Sequence, residues 1–152
     1  MPPNDTKPAA FGLLPDLLGY NLRRAQVAVF SDFAAAMAGH EITPGQFGVL
    51  VLIEANAGLN QRELGEAMGV DRSTVVAVLD RLEKRGLVQR RPVPTDRRSY
   101  ALHLSPAGAD LLAALVPAVR EHEARIAKGL SKGESETLNV LLKKLARLPL
   151  AD

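Results

Sequence analysis

Between Asn60 and Pro106 the chain passes from helical to strand periodicity through four short elements, and this ordered switch restricts the fold more than any other feature. Asn60 followed by Glu63 forms a capping pair, and Asp71 offers a carboxylate to the free N–H groups of the helix that begins DRSTVVAVLDRLEKRG. Gly69 and Gly86 supply the two helix stops. In the second helix Val75, Val78, Leu79 and Leu82 recur at helical spacing, which predicts one buried face and leaves Arg72, Ser73, Val76, Ala77 and Asp80 on the other. Leu87 to Pro92 and Ser99 to Leu104 read as two strands, with Tyr100, Leu102 and Leu104 in period-two alternation. They flank a turn, Pro92 to Arg98, that two prolines restrict and that ends in Asp96, Arg97 and Arg98.

Helix, helix and hairpin in that order predict a winged helix-turn-helix, an architecture suited to duplex DNA. Small residues on the open face of the second helix let its backbone sit deep in a major groove. Ser73 can exchange hydrogen bonds with base edges, Val76 and Ala77 can touch a thymine methyl, and Thr74 can serve bases or phosphates. Arginine at the hairpin tip can enter an adjacent minor groove. Charge is distributed to match. From Lys84 to Arg98 there are six basic residues (Lys84, Arg85, Arg90, Arg91, Arg97, Arg98) against the single acid Asp96, a net +5, whereas the whole chain carries only +2. The rest must therefore sum to −3, and positive charge is concentrated where a phosphate backbone would pass. A merely solvated basic hairpin is the bland alternative.

The runs ITPGQFGVL, LNQRELGEAMGVDRSTVVAVLDRLEKRGLVQR and DRRSYALHLSPAG resemble the MarR family of bacterial transcriptional regulators in spacing and residue type, over roughly residues 41 to 108. The resemblance implies a mainly α fold with a small β-wing, in which the second helix of the motif reads the major groove and the arginine closing a D-x-R wing motif reaches the minor groove. By position those roles fall on Asp71 to Arg81 and on Asp96 and Arg98. Asp96 is expected to orient the wing arginines and not to meet DNA, because a carboxylate facing phosphate is repelled. The expected DNA-contacting set is Arg72, Ser73, Thr74, Val76, Ala77, Arg81, Arg90, Arg91, Asp96, Arg97 and Arg98.

The flanks read as helices. From about Pro15 to Ala38, Leu18, Leu22, Ala25, Val29, Phe33 and Met37 follow three- and four-residue steps, with a stop at Gly39. Thr43, Pro44 and Gln46 open the next helix, whose buried face would carry Phe47, Leu50 and Ile53. Ser105 and Pro106 start a helix running to about Lys128, and Ser131 with Glu134 starts a last one ending near Arg147, before Pro149. The terminal helices are rich in Leu, Ala and Val, more than one chain of this length covers. In the resembled family such helices interlock in a homodimer, and a twofold dimer reads a pseudo-palindrome with half-sites about 10 base pairs apart or a multiple of that. The alternative is that they complete a monomeric core. We therefore expect one domain over 1–152, with residues 10–39 and 106–148 as dimerisation helices around a DNA-binding lobe at 41–105.

At 152 residues and 47% hydrophobic content the chain is one domain by size with enough apolar material for a core. Its longest apolar runs, Phe33 to Ala38 and Leu111 to Val116, are far shorter than the roughly 20 residues that span a bilayer, and MPPNDTKPAA lacks the apolar core of a signal peptide. There is no cysteine, hence no disulfide and no thiol sensor, which fits a cytoplasmic protein.

Tyr20, Arg23, Arg24, Phe30 and Phe33 on the first helix are candidates for an effector site. The resemblance implies small anionic aromatic ligands, or acyl-coenzyme A thioesters of aromatic acids, held between the dimerisation helices and the DNA lobe. The opening LLGYNLRRAQVAVF is similar to what regulators of hydroxycinnamoyl thioesters carry. Against this, the two arginines can equally occupy a solvated face and the aromatics a core. His40, His103 and His122 are too scattered for a metal site, and Glu121, His122 and Glu123, being adjacent, are expected to be solvated around a helix. No cofactor is expected. A phosphate-binding glycine loop, a nucleophile elbow and paired carboxylates are all missing, so catalysis is not expected. Together these features predict a ligand-responsive dimeric repressor of a palindromic operator. A winged-helix protein-interaction module and a nonspecific architectural DNA binder are the competing readings.

Overall fold

Capping chemistry places almost every helix boundary. In the computed structural model, which describes residues 8–147, a short 3-10 turn (Leu14–Asp16) precedes α1 (Leu18–Ala36), α2 (Pro44–Ala55), α3 (Gln61–Met68) and α4 (Arg72–Lys84). Strands β1 (Val88–Val93) and β2 (Asp96–Leu104) follow, then α5 (Pro106–Ile126) and α6 (Lys132–Leu145). The expected boundaries at residue 1, at 148–152 and at Pro149 lie outside the described residues. Thr43 with Gln46, Asn60 with Glu63 and Ser131 with Glu134 each close a reciprocal capping box. The Asp71 carboxylate accepts from the Thr74 N–H at 2.8 Å, and Ser105 Oγ accepts from the Gly108 N–H at 3.0 Å. Gly69 (φ 66°) and Gly86 (φ 69°) adopt the left-handed conformation that ends α3 and α4. Gly39 does not have this role: α1 stops at Ala36, and the left-handed residue of the turn that follows is Glu41, at φ 52°.

One hydrophobic core joins five helices to the wing. Phe33 and Met37 of α1, Val49, Leu50 and Ile53 of α2, Leu64 of α3, and Val75, Leu79 and Leu82 of α4 meet Leu87, Val88 and Leu102 of the hairpin and Leu112 and Leu115 of α5. The buried face of α4 inferred from the sequence therefore holds, with Val78 packed at the core's edge. The hairpin is antiparallel, pairing Val88 with Leu104 through Pro92 with Tyr100, with a bulge between Pro92 and Val93. Its strands run further than expected. Arg97 and Arg98 belong to β2, and the turn itself shrinks to Pro94 and Thr95. A backbone bond from the Leu102 N–H to the Leu59 carbonyl (2.8 Å) ties the wing to the loop between α2 and α3.

His122 corrects one expectation. Three consecutive helical residues fan over about 200° of the helix circumference, and on α5 the one turned toward α1 is His122, only 2% exposed, rather than a solvated residue. Its Nδ1 lies 2.6 Å from Asp32 Oδ2 on α1, its ring meets Phe33 edge-on at 5.3 Å, and Arg125 donates to both Asp32 oxygens at 3.2 and 3.0 Å. Hydrogen bonds from Arg125 first and His122 second hold the Asp32 carboxyl below its ordinary 3.8. A depressed carboxylate contributes stability above its unfolded value and loses it as pH falls through the folded one. Asp32→Asn is therefore expected to lower the urea midpoint at pH 7, with the gap to wild type closing below about pH 4. A gap that stays constant from pH 7 to pH 3 would contradict this linkage.

Large apolar side chains lie open at both ends of the chain. They include Phe11, Leu13, Leu14, Leu17, Leu18 and Leu22 near the start and Leu138, Val140, Leu141 and Leu145 on α6. Only the C-terminal part of the α1 stripe is covered: Leu18 is 77% exposed, whereas Met37 is 1% exposed. Among the described residues of α6 none is buried.

Candidate nucleic-acid interface

The N-terminal ends of α3 and α4 and the wing border an open groove of about 950 Å³, lined by Asn60, Gln61, Arg62, Glu66, Arg72, Arg90, Asp96, Arg98 and Tyr100 among others. Each wall has a local cause. Asn60 caps α3 in a reciprocal box with Glu63 and, with Gln61 and Arg62 of the first turn, lines the groove. Asp71 caps α4 and also accepts the Ser73 hydroxyl at 2.8 Å. Bonds from the Thr74 N–H first and from Ser73 next keep its carboxyl below the ordinary value, so Asp71 remains an ionised cap at neutral pH. The third wall is the wing, where Asp96 accepts the Arg98 backbone N–H at 3.0 Å. That bond fixes the backbone of the strand start and does not reach the arginine guanidinium groups.

The sequence-derived residues separate into groups. Arg72, Ser73, Thr74, Ala77 and Arg81 are exposed along one side of α4, with Val76 half-buried beside them. Arg91, Arg97 and Arg98 are exposed on the hairpin, and the Arg91 guanidinium donates to Gln89 at 3.1 Å. Arg90 is held within the protein: its Nη2 donates to Asp80 at 3.0 Å, and its Nε lies 3.0 Å from Glu83 Oε1 as an ion pair that is not aligned as a hydrogen bond. Arg90 thus braces β1 against α4, and two of the acids near the basic window are spent on it. Gln61, Arg62 and Tyr100 also line the groove, although the sequence reading did not select them. The signal for Gln61 and Arg62 was available in their place directly after a capping Asn60. Tyr100 is 50% exposed because the alternation that buries Leu102 carries it past the end of the core.

The effector candidates are not brought into one cavity. Arg23, Arg24 and Phe30 are exposed on α1, Tyr20 is half-buried, and Phe33 packs in the core 6.1 Å from Phe47. A smaller apolar cavity of about 400 Å³ lies where Leu22 of α1 meets Leu142, Leu145 and neighbouring residues at the end of α6. Among the described residues no helix is long and apolar enough to cross a membrane.

Known proteins share this arrangement. A profile of the MarR family matches residues 40–99, which span the α2-to-wing segment. A Thauera aromatica protein whose name assigns it to transcriptional regulation of the hcr operon is 42% identical over 145 residues, covering 95% of this chain and 87% of that protein. The HTH-type transcriptional repressor NicR of Pseudomonas putida is 32% identical over 84% of this chain and 81% of its own length. Among solved structures, the transcriptional repressor CouR bound to a 23-mer DNA duplex superposes with a TM-score of 0.86 at 41% identity, over 91% of this chain and 99% of that one. CouR bound to p-coumaroyl-CoA gives a TM-score of 0.86 at 39% identity, over 92% of this chain and 99% of that one. With the capped helix pair, the arginine-bearing wing and these relatives in agreement over nearly the whole length, the chain belongs to the MarR family of transcriptional regulators.

Proposed function

We propose that the chain acts in the cytoplasm as a non-enzymatic, homodimeric repressor that reads a pseudo-palindromic operator and releases it on binding an aromatic acid or its coenzyme A thioester. The observation that carries this reading is the groove where Arg72 at the start of α4, the α3 N-terminus and the Arg98 side of the wing converge. Arg72, Ser73, Thr74, Val76, Ala77 and Arg81 are proposed to meet the major groove, and Arg98, presented by Asp96 and flanked by Arg97, the minor groove. Arg91 serves the phosphates, while Arg90 contributes by bracing the wing. A protein-docking surface would offer large apolar anchors at its centre, and the α4 face is instead small and polar.

The uncovered apolar residues of the N-terminal segment and α6 support pairing of residues 10–39 and 106–148 with a second copy around a DNA-reading lobe at 41–105. Tyr20, Arg23, Arg24 and Phe30 are proposed to face the effector from α1, whereas Phe33, the fifth candidate, is packed in the core. The thioester class is suggested by CouR, and BpsR of Bordetella bronchiseptica, 27% identical at a TM-score of 0.84, is regulated by 6-hydroxynicotinic acid. Release requires the ligand to prefer a helix spacing that does not fit the operator, and a coupling of about 1–3 kcal/mol weakens DNA affinity some 5- to 150-fold. Titrating p-coumaroyl-CoA into the protein–operator complex and following fluorescence anisotropy tests this, with release expected. Operator affinity unchanged by saturating thioester and by free hydroxycinnamic and hydroxynicotinic acids would contradict the effector assignment.

Arg98→Ala is expected to weaken operator binding by about 1–3 kcal/mol while leaving the thermal midpoint and the dimer unchanged, since the side chain is exposed at the groove. Unchanged affinity would remove the minor-groove role.

A further inference from the structure

The residue capping the C-terminus of the recognition helix carries a long-range contact that neither DNA recognition nor the core accounts for. Arg85 caps the C-terminus of α4, and its guanidinium crosses to the turn between α1 and α2, where Nη1 donates to the Glu41 carbonyl at 2.8 Å and Nη2 to the His40 carbonyl at 2.9 Å. Glu41 sits at φ 52°, a conformation unfavourable for a side chain with a Cβ, so something must hold the turn in place. Two supports do. From inside, the carbonyl of Met37, a residue 1% exposed, accepts the N–H groups of both His40 and Glu41 at 2.9 and 3.1 Å. From outside, the Arg85 fork takes the two carbonyls that such a turn leaves pointing outward. The 13-residue helix α4 is about 20 Å long, so Arg85 is remote from the groove that Arg72 borders at the other end.

We propose that Arg85 is a positioning residue: it bolts the C-terminal end of the recognition helix to the turn after α1 and so fixes the angle at which α4 meets DNA. The inference rests on the proposed reading of an operator. It also gives a physical connection between the recognition helix and α1, the helix on which the effector is proposed to act. A lysine cannot replace the fork, because one ammonium on a flexible stem does not hold two carbonyls in a fixed plane. Arg85 is exposed, so its replacement leaves the core intact.

The test uses Arg85→Gln and Arg85→Lys in the full chain, with two probes: the duplex that wild-type protein enriches from a random pool, and a scrambled duplex of the same length and composition. Both variants are expected to lose about tenfold or more in affinity for the enriched duplex while binding the scrambled one as wild type does, because a misaimed helix loses base readout and keeps its phosphate contacts. The salt dependence should be unchanged. Amide deuterium exchange over residues 39–43 should quicken in both variants without any DNA present. Wild-type affinity for the enriched duplex in Arg85→Gln would overturn the proposal. So would equal losses on both duplexes with a salt slope shallower by about 0.9, the signature of one missing phosphate contact, or full rescue by lysine. Unaltered exchange in the turn would overturn the clamp itself, independently of DNA. If wild-type protein enriches no sequence, the operator reading fails and takes this inference with it.

Discussion

Gly108→Ala is expected to destabilise the protein by about 3 kcal/mol or more, at the upper end of what overpacking produces. A Cβ at that position would stand 2.0 Å from the Leu87 carbonyl oxygen and 3.0 Å from its carbon. Both are backbone atoms and cannot swing aside. Nor can the helix retreat, because Ser105 Oγ donates to the Gly86 carbonyl, the Ser105 N–H donates to the Leu87 carbonyl at 3.0 Å, and the Gly108 N–H donates to Ser105 Oγ. This seam joins the end of α4 to the start of α5. Gly48→Ala is the matched control. It lies inside α2 with nothing within 4 Å of the added carbon, so relief of chain entropy should leave stability unchanged or raise it by up to about 1 kcal/mol. Urea unfolding of the pair checks the argument. Equal midpoints for Gly108→Ala and Gly48→Ala would show that the α5 seam is not packed as described.

Leu82→Ala should lose about 2–5 kcal/mol, the range for removing a fully buried leucine from a core that relaxes only in part. Leu82 is 0% exposed, and its carbonyl accepts the Leu87 N–H at 3.0 Å where α4 turns into the wing. The cavity would therefore open beneath the joint between α4 and the wing. Thermal or urea unfolding at neutral pH reads the loss directly. A wild-type midpoint would mean that α4 is rotated from the phase seen here, and the assignment of its exposed face would fall with it.

Much of this architecture is legible residue by residue, because its determinants are local. A cap and its partner lie three positions apart, and a helical face repeats every three or four, so Thr43, Asn60, Asp71, Ser105 and Ser131 mark their helices in the sequence as they do in space. The exposed side of α4 is legible by the same logic, whereas roles for Asp96 and Arg98 are implied only by the family resemblance, and the bond seen goes to the Arg98 backbone N–H. What escaped joins distant positions. Asp32 and His122 are 90 residues apart, and no periodicity shows that one of three adjacent polar residues on α5 turns inward to meet a carboxylate on α1. Arg90 and Arg85 were counted as positive charge for DNA, yet their guanidinium groups are occupied by Asp80 and Glu83 and by two carbonyls of a remote turn. Charge content is additive along a sequence, but its availability depends on tertiary pairing. The wing tip also proved tighter than its prolines implied, since Asp96 to Arg98 remain strand beyond a two-residue turn.

The central claim is that α4 and the wing read a particular sequence as a twofold pair. Selecting duplexes from a random pool with the purified protein, then titrating the enriched duplex at two salt concentrations, tests it most directly. We predict enrichment of an inverted repeat with half-sites about 10 base pairs, or a multiple of 10, apart, bound by a dimer far more tightly than scrambled DNA. Binding that enriches nothing and collapses steeply with salt, or no binding at all, would contradict it.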